Sequence, residues 1–167
     1  VIHRSTKSMS RHRAGLTALL AAAALIAPAA LAAPAHASTT ASGCTVTPRK
    51  PVFTGDFTSD GRKKTEYKVD ITCDGGRSVY VTQERWENDN YSADDLQGTT
   101  HFNIHFNSAT TVTKSAIQAL PTDGIGEGED YAEVYESISF YVASDGNPPV
   151  ISADTPWEFS SVVSIHE

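Results

Sequence analysis

Apolar and polar residues alternate with a period of two along most of the chain after residue 43. In the clearest run, Thr65–Cys73, the odd-numbered positions from Tyr67 onward are apolar and the positions between them are polar. A strand that buries one face produces this pattern. The same alternation predicts further strands at Arg77–Arg85, Thr99–Asn107, Tyr131–Val142 and Trp157–His166, with shorter candidates at Cys44–Thr47, Val52–Phe57 and Thr110–Leu120.

Seven or eight short strands separated by Gly, Asp, Asn and Pro predict an all-β, antiparallel β-sandwich, because each strand then hides its apolar face against a second sheet. A small closed β-barrel is the alternative. Asp74-Gly75-Gly76 separates the first two long strands and is typical of a tight turn. We therefore expect Thr65–Cys73 and Arg77–Arg85 to pair as a hairpin.

Two short stretches resemble immunoglobulin-type domains. Trp86 follows Cys73 by thirteen residues, and the sequence Glu129–Ala132 followed by Tyr135 is similar to the segment that enters the sixth strand of that family. Glu136 stands where the family has its second sheet-bridging cysteine, and Val134 stands where it has a corner tyrosine. The resemblance implies an immunoglobulin-like sandwich and implies no particular ligand.

Glu136 is also the one charged residue in the apolar stripe of its strand. Strict alternation places this carboxylate between Val134 and Ile138, where an unpaired charge is costly. We expect a β-bulge, an edge position or a basic partner to compensate for it.

The first 37 residues resemble a secretory signal that is removed on export. Four basic residues precede an Ala/Leu run from Ala14 to Ala33, and Ala35-His36-Ala37 forms a small-x-small cleavage site. Residues 38–43 are then a flexible leader, and residues 44–167 form a single domain. The expected location is extracellular, with no stable membrane insertion after cleavage.

Cys44 and Cys73 are the only cysteines, and an oxidising exterior favours a disulfide between them. The alternative is a lipid anchor on Cys44, because Ala41-Ser42-Gly43-Cys44 loosely matches a lipobox. Loss of the signal removes four of thirteen basic residues, and the remaining nine oppose twenty acids to give a net charge of −11. Such a surface disfavours nucleic acid and anionic membranes as partners.

No catalytic motif or cofactor-binding loop is recognisable in the sequence, so we expect no enzyme activity. His101 and His105 lie about 13 Å apart if they share a strand, which is too far to hold one ion. Calcium is the only candidate cofactor, because two acidic loops concentrate oxygen ligands. Its candidate ligands are Glu87, Asp89, Asp94 and Asp95 in the first loop, and Asp123, Glu127, Glu129 and Asp130 in the second.

Aromatic residues supply the best candidate for a binding surface. Alternation places Tyr131, Tyr135 and Tyr141 on the face opposite the aliphatic residues of their strand, and Trp86 and Trp157 are the other candidates. Outward rings of this kind contact carbohydrates or protein partners. The sequence therefore favours a non-catalytic extracellular binding module. The alternative is an inhibitor or interaction protein that presents a rigid loop, either Leu120–Asp130 or Ser144–Trp157.

Overall fold

A computed structural model describes residues 38–89, 93–121 and 131–166, which lie within one compact unit, Pro34–Glu167. The predicted signal sequence lies outside the described residues. No helix in these ranges is long and apolar enough to cross a membrane. The strands are β1 (Thr39–Ala41), β2 (Cys44–Pro48), β3 (Val52–Phe57), β4 (Lys63–Cys73), β5 (Arg77–Glu87), β6 (Asp95–Phe106), β7 (Thr110–Ala119), β8 (Tyr131–Ser144), β9 (Glu158–Phe159) and β10 (Val163–His166).

The strands form two antiparallel five-stranded sheets that pack face to face, which confirms the predicted all-β sandwich and leaves no closed barrel among the described strands. In sheet 1, β4 has β7 along one side and β2 and β3 along the other, with β1 beyond β2. In sheet 2, β5 lies between β6 and β8, and the short strands β9 and β10 pair with β8. Short edge strands raise the number of strands above the seven or eight predicted. One of them, β1, lies within residues 38–43, so the prediction of a flexible leader is wrong there: β1 pairs with β2, and Ala41 packs against the core.

The predicted hairpin of β4 and β5 is wrong, because the two strands belong to different sheets. The turn Asp74-Gly75-Gly76 instead carries the chain from one layer to the other. Gly76 has a positive φ of 72° and its N–H donates to the carbonyl of Phe106 at 2.7 Å. At Gly75, a side chain would begin 3.0 Å from the backbone of Asn107, so glycine fits this crossing without displacing that backbone. A glycine turn after an alternating strand is thus compatible with either connection.

The predicted strand Trp157–His166 is also wrong as one continuous element. It divides into β9 and β10, and Ser160 hydrogen-bonds through its N–H to the carbonyl of Glu136 between them. In one continuous strand the alternation would place Phe159 and Ile165 on the same face, but Phe159 is exposed whereas Ile165 is buried. The break in pairing therefore reverses the expected orientation of the first half of this segment.

Cys44 and Cys73 form the predicted disulfide. They lie opposite one another in the register of β2 and β4, and both side chains are buried in the core. The bond therefore joins neighbouring strands of sheet 1 and does not bridge the two sheets as in the immunoglobulin family that the sequence resembles.

Buried polar residues occupy the core between two apolar clusters. The larger cluster includes Val69, Val81 and Phe140, and the smaller one includes Tyr67 and Val134. Along β8, Glu136 lies between Val134 of the small cluster and Ile138 of the large one. We call the buried polar residues of this region the polar seam; they are Thr65, Gln83, Arg85, Glu87 and Glu136.

Glu136 is fully buried and is held by neutral donors. The side-chain amide of Gln83 donates to one carboxylate oxygen, and the backbone N–H of Arg49 donates to the other at 3.0 Å. Arg49 follows β2, so this second hydrogen bond connects the two layers. Burial raises the pKa of Glu136 to about 8, although the hydrogen bonds from Gln83 and Arg49 and the positive charge of Arg85 oppose the rise.

An irregularity of the kind expected at Glu136 is found on one side of β8 only: the register shifts by one residue between β10, which ends at Val163↔Val134, and β9, which begins at Phe159↔Ser137. On the other side, β5 and β8 pair without a register shift from Arg77↔Ser144 to Glu87↔Val134. A basic residue, Arg85, lies directly opposite Glu136 in this register. Its guanidinium donates to Gln118 at 2.6 Å and Thr100 at 2.7 Å. The compensation therefore comes from an amide, a backbone N–H and the long-range attraction of Arg85.

The first prediction concerns the pH dependence of stability. A carboxyl group whose pKa is about 8 in the folded state and near 4.5 in the unfolded state binds its proton more tightly when folded. Stability should therefore fall as pH rises between these two values, by roughly 3 kcal/mol from pH 5 to pH 8. Glu136→Gln should remove most of this fall, because the new amide stays neutral and can donate to Gln83 Oε1, which has no hydrogen-bond partner among the described residues.

Urea unfolding at pH 5, 6.5 and 8 measures this dependence. Glu84→Gln, on the outer face of the same sheet, is the matched control and should keep the dependence of the wild type. A wild-type stability that is constant or rises over this range would contradict the assignment of a destabilising charge to Glu136.

The second prediction concerns the disulfide, which closes a loop of 29 residues. Replacing both Cys44 and Cys73 by Ala should lower the free energy of unfolding by about 3 to 4 kcal/mol from chain entropy alone. Denaturant unfolding with and without a reducing agent measures the effect. The reductant should destabilise the wild type and leave the doubly substituted chain unchanged; equal responses would show that the bond contributes nothing.

Candidate ligand-binding face

The outer face of sheet 2 carries the aromatic residues that the sequence singled out on β5 and β8. Both strands turn their aliphatic residues inward, so the alternate positions are left on the outer surface. Tyr131, Tyr135 and Tyr141 lie on this outer face, as predicted. The central register of β5 and β8 places Trp86 opposite Tyr135 and Tyr80 opposite Tyr141.

Tyr80 and Tyr141 form one of these cross-strand pairs. Their rings stack with centroids 4.6 Å apart and planes 10° from parallel. Both side chains are half-buried, and their hydroxyls make no hydrogen bond to another described residue. The pair therefore presents a rigid apolar stack with two hydroxyls available to a ligand.

Trp86 and Tyr135 form the second pair. Their centroids lie 6.4 Å apart with planes 8° from parallel, and Phe159 lies 6.1 Å from Tyr135. Trp86 Nε1 donates to Ser137 at 3.0 Å, and the Tyr135 hydroxyl donates to Asp94 at 2.7 Å. Burial and the hydrogen bond to the negative Asp94 carboxylate raise the pKa of Tyr135 above its usual value. These bonds hold the second pair more firmly than the first.

A depression of about 300 Å³ lies beside the Tyr80 and Tyr141 stack. Its polar lining consists of Thr82, His101, Asn103, Ser139 and Asp154, which come from β5, β6, β8 and the segment after β8. Ser139 donates to the carbonyl of Thr155 at 2.7 Å, which fastens that segment beside β8. The depression is therefore built on paired strands and one fixed connection.

The two histidines of β6 lie on this face, but each contacts different neighbours. His101 Nδ1 is 3.2 Å from the Thr82 hydroxyl, and His105 Nδ1 is 3.0 Å from the Ser78 hydroxyl. His105 Nε2 is also 3.6 Å from the Asp145 carboxylate. Among the described residues, no group of three His, Cys, Asp or Glu side chains could hold a metal ion.

The first of the two predicted calcium loops is mostly described. Glu87 belongs to the buried polar seam and accepts a hydrogen bond from Gln97 at 3.2 Å, whereas Asp94 accepts one from Tyr135 on the outer face. The Asp89 N–H also donates to Asp94 at 3.3 Å, and Asp95 is exposed. The second loop, with Asp123, Glu127, Glu129 and Asp130, lies outside the described residues. Calcium binding stays a prediction.

The remaining sequence candidates, Tyr131 and Trp157, are not part of the two stacked pairs. Tyr131 begins β8 and packs edge-on against His166, with centroids 6.2 Å apart. Trp157 precedes β9 and is 42% exposed. Sequence reasoning missed Tyr80 and Phe159. The signal for Tyr80 was available, because it occupies an outward position between the inward residues Val79 and Val81.

Comparisons with known proteins return no match: no family model, no curated protein and no solved structure is significantly similar to this chain.

The third prediction contrasts the two tyrosine hydroxyls. Tyr135→Phe removes the hydrogen bond to Asp94 and should lower the free energy of unfolding by about 1 to 2 kcal/mol. Tyr141→Phe is the matched control and should change stability little, because its hydroxyl has no partner among the described residues. Thermal or urea unfolding measures both. Equal losses of stability would show that the hydrogen bond from the Tyr135 hydroxyl to Asp94 contributes nothing beyond what the Tyr141 hydroxyl contributes.

Proposed function

We propose that the protein is a secreted, non-catalytic binding module whose contact surface is the outer face of sheet 2. The observation that carries this proposal is the pair of cross-strand aromatic stacks on that face. The inner faces of the same strands already close the core with aliphatic residues, so the stack of Tyr80 and Tyr141 is not needed there. Rigid, half-buried rings add contact area to a complex at a low cost in side-chain entropy.

Two further features support an extracellular role. The disulfide of Cys44 and Cys73 is compatible with an oxidising environment. The first 37 residues have the order of segments expected of a secretory signal. The acidic balance of the remaining chain disfavours nucleic acid and anionic membranes and leaves extracellular proteins or polysaccharides as the partners.

A binding assay with aromatic variants tests the proposal. The full chain is immobilised and exposed to culture-fluid proteins and cell-wall polysaccharides. Tyr141→Ala and Tyr135→Ala should each weaken capture by roughly 1 to 3 kcal/mol, or about 5- to 150-fold. Ile117→Ala is the matched control, because Ile117 is 61% exposed on the outer face of sheet 1.

Two outcomes would contradict this proposal. One is capture that both tyrosine substitutions leave unchanged. The other is turnover of glycan, peptide or ester substrates by the purified chain at rates typical of enzymes. Unfolding midpoints of each variant identify any loss of capture that comes from loss of the fold.

The second candidate function is presentation of the segment from Ser144 to Trp157 to a partner. Ser144 N–H donates to the Val150 carbonyl at 2.9 Å, and Val150 N–H donates to the Ser144 hydroxyl at 3.1 Å, which closes a compact turn. Val150 and Ile151 beside it are 72% and 62% exposed. If this turn is the contact, Val150→Ser with Ile151→Ser should abolish capture while Tyr141→Ala has no effect. Only Leu120 and Pro121 of the other candidate loop are described.

A further inference from the structure

The depression beside Tyr80 and Tyr141 contains hydrogen-bonding groups that the fold does not use. Thr82 and His101 are hydrogen-bonded to one another, and the Ser139 hydroxyl donates a hydrogen bond to the carbonyl of Thr155. The Asn103 amide and the Asp154 carboxylate make no hydrogen bond to another described residue. With the two tyrosine hydroxyls, they give the depression both donors and acceptors beside an apolar ring stack.

The charges of the residues that line the depression determine which ligand charge it can accept. The residues that line the depression include no Lys or Arg, and Asp154 contributes a negative charge at its margin. A phosphate, sulfate or carboxylate group would meet the Asp154 carboxylate with no Lys or Arg in the lining to compensate the repulsion. An anionic ligand is therefore disfavoured on local grounds as well as by the acidic balance of the whole chain.

The same combination selects against a purely apolar ligand. An aliphatic side chain in the depression would cover Asn103 and Asp154 without replacing the hydrogen bonds that water gives them, which is costly. A ligand with many hydroxyls and an apolar C–H face satisfies both parts of the site. Its hydroxyls can bond to Asn103 and Asp154 while its C–H groups lie against the tyrosines.

The position of the second aromatic pair indicates the length of the ligand. Trp86 and Tyr135 lie six residues along β5 and β8 from Tyr80 and Tyr141, which is about 20 Å along the strands. The positions between the pairs carry polar residues, among them Thr82, Glu84 and Ser139. An extended chain of sugar units that runs along the strands would reach both pairs.

We propose that the outer face of sheet 2 binds an uncharged oligosaccharide, with one sugar unit seated between Asn103, Asp154 and the stack of Tyr80 and Tyr141. This inference rests on the proposed binding function and names the chemical class of its ligand. The hydroxyls of the sugar exchange hydrogen bonds with Asn103 and Asp154. The second aromatic pair contacts units farther along the same chain.

Binding to defined oligosaccharides tests the inference. The full chain is titrated with cello-, xylo- and chito-oligosaccharides of increasing length, and with oligogalacturonides and heparin fragments as acidic probes. At least one neutral series should bind, with affinity that rises with chain length, and the acidic probes should not bind. Asn103→Ala and Asp154→Ala should each reduce that affinity at least tenfold.

Matched substitutions outside the depression show whether a loss of affinity is specific to the site. Asp145→Ala and Asn107→Ala replace the same residue types outside the depression and should leave affinity unchanged. Acidic probes that bind as tightly as neutral ones would overturn the inference. Neutral binding that is insensitive to both site substitutions would also overturn it.

The outcomes separate this inference from the proposed function. If no oligosaccharide binds but a culture-fluid protein is captured and lost in Tyr141→Ala, the ligand class is wrong and the binding face stands. If neither oligosaccharide nor protein is captured, both fail.

Discussion

The unbroken register of β5 and β8 is the constraint on which the rest of the structure depends. Eleven consecutive residue pairs, from Arg77↔Ser144 to Glu87↔Val134, fix which side chains share a face. Inside, this register places Arg85 opposite Glu136; outside, it forms both aromatic pairs. A slip by one residue in either strand would exchange the two faces and move every one of these side chains. The candidate binding face and the buried polar seam are therefore two consequences of one alignment.

The polar seam fixes the position of one sheet relative to the other more narrowly than apolar contacts alone would. Glu136 reaches from sheet 2 to the backbone N–H of Arg49, and the Gln83 amide reaches the Tyr67 carbonyl of sheet 1 at 3.4 Å. Hydrogen bonds of this kind demand one relative position, whereas aliphatic side chains tolerate several. This polar seam also lowers the stability of the fold, because Gln83 Oε1 and Thr65 Oγ1 are buried without hydrogen-bond partners among the described residues.

Alternation in the sequence predicted which face each long strand buries, but not which strand lies beside it. It placed Tyr135 and Tyr141 outward correctly, because the two-residue period is a local property of the backbone. It failed at Asp74-Gly75-Gly76, since the same turn residues serve a hairpin or a crossing between sheets. It also missed the pairing of Tyr80 with Tyr141. Cross-strand partners depend on register over long sequence separations, which no local pattern encodes.

The central claim is that ligands contact the outer face of sheet 2. Backbone amide chemical shifts of the isotope-labelled chain, followed during titration with neutral oligosaccharides, test it most directly. The account predicts shifts that cluster on β5, β6 and β8 around Tyr80, Asn103 and Tyr141, while amides of β4 and β7 in sheet 1 stay unchanged. Shifts concentrated on sheet 1, or on the turn from Ser144 to Ile151 with no change around Tyr141, would contradict it.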